Sequence, residues 1–172
     1  MGPIESVKTC LRKIFDFSGR ATRSEFWWFQ LFIVLMGVVL KLLDLLIFGN
    51  AAGINIVDVD IAQVLLPHKA PEIGYFAITF QLFSWIPTAS SGARRLHDTN
   101  RPGWIVMLPV IGIAIVHFAE KYGLNIWFGQ AGFLLAVISM FWLILFFAFN
   151  SHEHTNRYGT SPKYDNSPDV FD

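Results

Sequence analysis

The feature that most constrains this chain is an apolar run at positions 131–149 that contains no charged side chain. An α-helix rises about 1.5 Å per residue, so about 20 apolar residues cross the roughly 30 Å hydrocarbon core of a bilayer. The composition agrees, because only 15% of the residues are charged, against about 25% in an ordinary soluble domain. The run therefore predicts a transmembrane helix, with the bilayer as the solvent of the fold.

Three further stretches come close to the length of a membrane span. The first contains Lys41 and Asp44, the second contains Pro87 and the third contains Pro109; the two prolines predict kinks, because proline removes a helical hydrogen bond. The third stretch reaches only about 24 Å as a helix, which leaves a re-entrant segment as an alternative. The predicted fold is an all-α integral membrane bundle, a single domain with transmembrane helices at 26–48, 73–91, 103–118 and 130–149.

The loop charges predict the orientation of the bundle in the membrane. Cytoplasmic loops of membrane proteins carry an excess of Lys and Arg. Ten such residues fall on one side of the four-span arrangement, namely Lys8, Arg12, Lys13, Arg20, Arg23, Arg94, Arg95, Arg101, Arg157 and Lys163. The other side holds only Lys69 and Lys121. This bias predicts that the N-terminus and the tail at 150–172 are both cytoplasmic.

The segment at 3–17 is predicted to form an amphipathic helix before the first span. Apolar residues recur there at helical spacing, at Ile4, Val7, Leu11, Ile14 and Phe15. Basic residues fall largely on the other faces, which is typical of a helix that lies on an anionic leaflet. Packing against the protein's own cytoplasmic loops is an equal alternative. Beyond this segment, Thr22 and Glu25 have the spacing of a capping box, which starts the first span.

Three polar motifs fall at the cytoplasmic ends of the predicted spans. They are FSGRATRSEFWW at 17–28, RRLHDTNRPGW at 94–104 and NRYGTSP at 156–162. In this order they resemble the bacterial inner-membrane family named domain of unknown function 805, over nearly the whole chain. One departure is the Asn-Arg-Pro at 100–102, where small residues are common in the family. The resemblance implies a small bacterial inner-membrane protein whose activity is not established.

The arginines of these motifs are the candidate site residues. Arginine suits bidentate binding of carboxylate or phosphate. The hypothesis is a site for an anionic ligand at Arg20, Arg23, Arg94, Arg95, His97, Asp98 and Arg157. In the alternative interpretation, the arginines pair with Glu25 and Asp98 and support only the fold. A third interpretation makes His97 a general base that a carboxylate orients.

Other polar residues carry weaker signals. Lys41 and Asp44 stand three residues apart on the first predicted span, close enough for a structural ion pair, with a transport site as the alternative. His152 and His154 lack a third ligand at a recognisable spacing, so no metal site is predicted. Cys10 is the only cysteine, which excludes an internal disulfide. No catalytic residue and no cofactor are predicted.

These observations favour a non-enzymatic membrane protein whose arginine-rich cytoplasmic face binds anionic lipid headgroups or a partner. The alternatives are a small oligomeric transporter and a membrane-embedded enzyme that acts on a lipid phosphate. Membrane lipids are the expected partners, and a second copy of the chain or another membrane protein is an option. A formal net charge of zero argues against nucleic acid as a partner.

Overall fold

The computed structural model describes residues 1–48, 74–151 and 154–162, and the regular structure in those ranges is helical. The exception within them is an isolated antiparallel bridge between Asn156 and Gly159. Along the chain the helices are α1 (Pro3–Arg12), α2 (Arg23–Phe48), α3 (Tyr75–Asp98), a 3-10 helix (Gly103–Met107), α4 (Leu108–Lys121) and α5 (Ile126–Ala148). The prediction of an all-α fold is confirmed for this part of the chain.

Three segments of the described structure are long and apolar enough to cross a membrane. They are α2, the 3-10 helix together with α4, and α5. α3 has 24 residues, which is sufficient length, but its last five residues include Arg94, Arg95, His97 and Asp98. These polar side chains lower the hydropathy of α3, so the count of four spans stays a prediction.

The helices differ from the predicted spans mainly at their ends. α3 continues seven residues beyond the predicted end at 91, because its last turns are buried in protein. The predicted start of that span at 73 lies outside the described residues, as does part of the tail at 150–172. Pro109 lies in the first turn of α4, where its missing N–H costs no helical hydrogen bond. It therefore begins a helix instead of kinking one, whereas Pro87 lies inside α3.

α4 and α5 form a hairpin whose two backbones touch at a pair of glycines. A Cβ atom built on Gly112 would lie 2.6 Å from the Ala136 nitrogen, and one on Gly132 would lie 2.8 Å from the Gly112 oxygen. Small residues at a crossing let membrane helices approach closely and gain dispersion contacts. We call this contact the glycine seam.

Five buried apolar side chains form a cluster at one end of the bundle, namely Phe26, Leu96, Leu143, Phe146 and Phe147. Elsewhere large apolar side chains point outward, and Phe83 on α3 and Phe133 on α5 are 75% and 61% exposed. An apolar outer surface of this extent is unfavourable in water and suits hydrocarbon. The packed core therefore lies at one end of a bundle with a lipid-compatible surface.

α1 packs against α2 with a face that the apolar periodicity does not predict. Its buried residues are Ser6 and Cys10. Three residues of the predicted apolar stripe, Ile4, Leu11 and Phe15, are exposed instead. The helix also ends five residues before the predicted end at 17. Small side chains thus face α2, and much of the apolar stripe faces away from the protein.

Candidate functional site

Three stretches of chain meet at what we call the polar end of the molecule. They are residues 18–25 around the start of α2, residues 94–98 at the end of α3, and residues 147–151 and 154–159 from the end of α5 onward. Each of the three sequence motifs contributes to it. The buried charged side chains of the polar end form two clusters, each centred on one carboxylate.

Asp98 is the centre of the first cluster and binds two arginines. Its Oδ1 accepts from Arg20, whose Nε and Nη2 both lie 2.9 Å away. Its Oδ2 accepts from Arg95, one turn earlier on α3. At most 1% of each of these three side chains is exposed. Two positive charges therefore share one negative charge without contact with solvent.

The same two arginines attach the C-terminal chain to this cluster. Arg95 donates to the backbone oxygens of Phe147, at 3.2 Å, and of Phe149. Carbonyls at the end of a helix lack helical partners and carry partial negative charge. Arg20 donates from Nη1 to the backbone oxygen of His154 at 2.9 Å. The carbonyl dipoles at the end of α5 thus help to offset the second positive charge.

Glu25 is the centre of the second cluster. Its Oε1 lies 2.6 Å from Nη1 of Arg94, a residue that is fully buried. The Cys10 thiol on α1 contacts both partners, with Sγ 3.7 Å from Glu25 Oε1 and 3.8 Å from Nη2 of Arg94. Burial raises the pKa of this thiol to about 11, and the Glu25 carboxylate adds to the rise. A neutral thiol therefore docks α1 onto a buried ion pair.

Only one of the two hydrogen bonds of the capping box predicted at the start of α2 is formed. The Glu25 N–H donates to Thr22 Oγ1 at 3.2 Å, as the motif predicts. The Glu25 carboxylate binds Arg94 instead of returning to the Thr22 amide, because a charged donor makes the stronger hydrogen bond. Glu25 consequently links α2 to α3.

His97 belongs to neither cluster and holds the C-terminal turn. Its Nδ1 lies 3.1 Å from the Gly19 oxygen, and its ring stacks on Tyr158 with centroids 3.8 Å apart and planes inclined by 6°. The backbone oxygen of His97 accepts from Nδ2 of the Asn156 side chain at 2.9 Å. Burial lowers the pKa of the imidazole. Since Asp98 binds arginine with both oxygens, a backbone carbonyl rather than that carboxylate orients the ring.

Gly103, near the end of the second motif, has a packing role. A Cβ atom on Gly103 would lie 2.8 Å from the Ala93 Cβ and 2.9 Å from Nε2 of His97. Glycine therefore lets the 3-10 helix pass close to the last turns of α3.

The structure divides the residues predicted for the site into a buried and an exposed group. Three of the predicted arginines are buried together with the two acids: Arg20, Arg94, Arg95, Glu25 and Asp98. Arg23 and Arg157 are exposed. Arg23 donates to the Ala148 oxygen at the end of α5 at 3.0 Å, and Arg157 donates to the Asn100 oxygen in the turn after α3 at 3.2 Å. Arg101, also exposed, lies over the Phe146 ring with its guanidinium carbon 3.9 Å from the ring centre. A guanidinium has five N–H donors, so the exposed arginines keep donors for further partners.

A buried carboxylate at the other end of α2 has partners that the sequence did not reveal. Asp44 is fully buried, and its two oxygens accept from the N–H groups of Phe76 and Ala77 at 3.0 and 2.8 Å. It thereby caps the start of α3, where the cap residue Gly74 has no side chain to do so. The ion pair between Asp44 and Lys41 stays a prediction.

Metal ligands are a separate question from these clusters. Within the described ranges, no group of three His, Cys, Asp or Glu side chains could hold a metal ion. His152 lies outside those ranges.

Comparison with known proteins relates most of the chain to one family. Residues 14–160 match the family described as "Protein of unknown function (DUF805)". The chain belongs to this family. The matched range contains the first two motifs and the Asn-x-Tyr-Gly of the third.

Two relatives of the chain are named as inner membrane proteins. Inner membrane protein YhaI of Escherichia coli (strain K12) is 25% identical over 154 residues, which cover 90% of this chain and 92% of the relative. Inner membrane protein YhaH of the same strain is 28% identical over 109 residues, which cover 62% and 75%. No solved structure matches the chain. The predicted family is confirmed, and the relatives are inner membrane proteins, as the sequence indicated for this chain.

Proposed function

We propose that this DUF805 protein is a non-enzymatic, four-span membrane protein whose cytoplasmic face binds anionic lipid headgroups. The orientation of α1 is the observation that carries the proposal. This helix turns Ser6 and Cys10 toward the protein and leaves Ile4 and Leu11 exposed, as are its basic residues. A helix that presents apolar and basic side chains outward suits the surface of an anionic leaflet.

Exposed cations on α1 and at or beside the polar end supply the charge for this binding, and we call them the exposed cations of the polar end. Six of them are exposed, namely Lys8, Arg12, Lys13, Arg23, Arg101 and Arg157. The buried arginines contribute less to an external field, because Glu25 and Asp98 compensate them inside the protein. A basic residue near an anionic leaflet contributes about 1 kcal/mol of attraction. The exposed set is therefore the part of the predicted site that we assign to lipid.

A topology of four spans with both termini in the cytoplasm agrees with the surface of α3. The outward-facing residues of its first half are large and apolar, and include Tyr75, Ile78, Leu82 and Phe83 at 54–75% exposure. Such a surface suits contact with acyl chains, whereas the last turns of α3 are buried in protein. With α3 across the membrane, the exposed cations of the polar end lie together on the cytoplasmic side, as the excess of loop cations requires.

The two alternative functions have less support. A lipid-phosphate enzyme needs a general base that can reach the substrate, and His97 is bonded to a backbone carbonyl and stacked on Tyr158. A transporter needs polar groups along a path through the bilayer. A cleft between α2, α3, α5 and the start of α4 is instead lined mainly by apolar side chains.

Headgroup selectivity of the purified protein tests the proposal. Native mass spectrometry of the protein, titrated with phosphatidylglycerol or phosphatidylcholine of the same acyl chains, measures the preference for a negative headgroup. We expect severalfold tighter binding of phosphatidylglycerol. The triple variant Lys8→Gln, Arg12→Gln, Lys13→Gln should lose most of that preference, because it removes half of the six exposed cations that attract a negative headgroup.

A matched control lies at the opposite end of the molecule. Lys121→Gln removes an exposed cation at the end of α4 and should leave the headgroup preference unchanged. Equal binding of the two lipids by the wild type would contradict the proposal. A reporter fused after Asn150 that reads external would contradict the four-span topology.

A further inference from the structure

A cleft inside the helical bundle is separate from the exposed cations of the polar end. It has a volume of about 420 Å³ and lies between α2, α3, α5 and the start of α4. Its walls are mainly aromatic and aliphatic, and include Trp27, Trp85, Val110, Met140 and Ile144. Sites for small amphipathic ligands are concave and apolar, with a few polar groups that orient the ligand. The cleft has this character.

Gln30 supplies a polar group to the cleft. Its Nε2 is buried and has no hydrogen-bond partner among the described residues. No water is available within a bilayer to replace a missing partner, so an unpaired amide donor there is unfavourable. A ligand of the cleft is therefore expected to present an acceptor oxygen at the level of Gln30.

The depth of Gln30 in the leaflet indicates which oxygen of a lipid can accept from its amide. Arg23, Trp27 and Gln30 follow one another at i, i+4 and i+7 on one face of α2. Gln30 consequently lies about 10 Å from Arg23 along the helix axis. The polar region of a leaflet is about 5–7 Å thick, and a helical side chain leans toward the N-terminus of its helix. With the exposed Arg23 at the outer edge of that region, the Gln30 amide therefore reaches its inner edge, where acyl esters join the glycerol of a phospholipid. The apolar part of the cleft then lies among the acyl chains.

We propose that the cleft binds one glycerophospholipid from the surrounding leaflet. An ester carbonyl oxygen of the lipid accepts from the Gln30 amide, and the attached acyl chain occupies the apolar part near Trp85, Val110 and Ile144. This site goes beyond the headgroup binding proposed above, because it recognises the ester and the chain rather than the charge. It takes a zwitterionic lipid as well as an anionic one.

A pair of lipids that differ only in the carbonyl oxygens tests the contact with Gln30. The probes are dioleoyl phosphatidylcholine and its diether analogue, titrated against the purified protein and observed by native mass spectrometry. We expect the wild type to bind the diester about threefold more tightly, the ratio that an average hydrogen bond within a membrane protein produces. Gln30→Met removes the donor at similar length and should bind the two lipids equally. Gln130→Met, at an exposed position of α5, should keep the preference.

A second pair of variants tests whether the acyl chain occupies the cleft. Ala89 lines the cleft, and Ala131 is exposed on α5 outside it. Ala89→Phe should weaken one-to-one binding of both probes by roughly tenfold, because the new ring overlaps the chain. Ala131→Phe should bind as the wild type does.

The outcomes separate this site from the proposed headgroup binding. Equal affinity of the wild type for the diester and the diether overturns the site, and this comparison requires no variant. Unchanged lipid binding by Ala89→Phe also overturns the site. So does a purified protein that carries a prenyl quinone in place of a glycerolipid. A protein that binds the diester more tightly than the diether, but shows no preference for phosphatidylglycerol, supports the cleft site. That result contradicts only the headgroup proposal.

Discussion

The polar end holds its buried arginines against buried carboxylates, whereas the glycine seam brings two backbones together directly. At the polar end, the contacts join residues far apart in sequence, such as Glu25 with Arg94 at 2.6 Å. At the seam, the contact joins consecutive helices, and a Cβ atom on Gly112 would lie 2.6 Å from a backbone nitrogen. Ion pairs bring the helices together at the polar end, and close backbone packing does so at the glycine seam.

The difference teaches how each region contributes to the fold. A buried ion pair gives little net stability over an apolar pair, but removal of one partner leaves a costly unpaired charge. A close helix crossing gains many small dispersion contacts and is disturbed by any added atom. We infer that the polar end determines which segments become neighbours, while the seam determines how tightly two neighbours pack.

Loss of the carboxylate shared by two arginines should have the largest effect. Asp98→Asn keeps the shape of the side chain but leaves Arg20 and Arg95 without their counter-charge, so the free energy of unfolding should fall by about 3–5 kcal/mol. Glu25→Gln should cost less, because it leaves one unpaired arginine instead of two. Unfolding in mixed micelles titrated with dodecyl sulfate measures both values.

The control for this charge comparison is Glu120→Gln, which neutralises an exposed acid on α4. It should lie within about 0.5 kcal/mol of the wild type. A loss for Asp98→Asn no larger than that of Glu120→Gln would remove the charge-based account of the polar end.

Substitution in the glycine seam should have an intermediate effect. Gly112→Ala forces α4 and α5 apart, because the new Cβ would overlap the Ala136 backbone, and we expect a loss of about 1–3 kcal/mol in the same titration. Gly37→Ala is the matched control, since it lies within α2 with open space around the Cβ position. Alanine is the better helix former, so the control should be neutral or slightly stabilising. Equal losses would show that the seam is not a close crossing.

Removal of the cap on α3 should have a smaller effect. Asp44→Ala leaves the N–H groups of Phe76 and Ala77 without their acceptor, which should cost about 0.5–2 kcal/mol. Faster amide hydrogen exchange at these two residues would locate the loss at the start of α3. A double-mutant cycle with Lys41→Met tests the predicted ion pair, and a coupling energy near zero would exclude it.

An effect confined to alkaline pH concerns the thiol that contacts the Glu25 cluster. The pKa of Cys10 is about 11 in the folded protein, against an ordinary value of 9.0. Between these values the unfolded chain has lost a proton that the folded protein keeps, so stability falls as the pH rises from 9 to 11. The wild type should lose stability relative to Cys10→Ala over this interval. A parallel pH dependence of the two proteins would contradict the buried neutral thiol.

Several features of the molecule could be predicted from the sequence alone. The uncharged run at 131–149 and the loop cations indicated membrane helices, and three ordered motifs indicated the family. The motif residues were also expected near one another, since each lies at the end of a predicted span. The Asp44 cap was missed because its partners are backbone N–H groups, 32 and 33 residues further along the chain, which no side-chain pattern reports.

The direction in which α1 faces shows a different obstacle to prediction from sequence. In water, an apolar stripe marks the side of a helix that packs on protein. Beside a bilayer, lipid and protein interior are both apolar, so the stripe does not choose between them. The structure buries Ser6 and Cys10 and exposes Ile4, which periodicity alone does not decide.

The sequence by itself determined the helices and the family, because hydropathy and motif order are properties of residues close together in the chain. The tertiary structure decided which charged side chains pair with one another. Arg20 binds Asp98 across 78 residues, and Arg94 binds Glu25 across 69. Which acid meets which arginine depends on how each helix is rotated about its axis and which helix lies beside it. That rotation depends on the packing of several helices at once, so a pattern within one segment does not determine it.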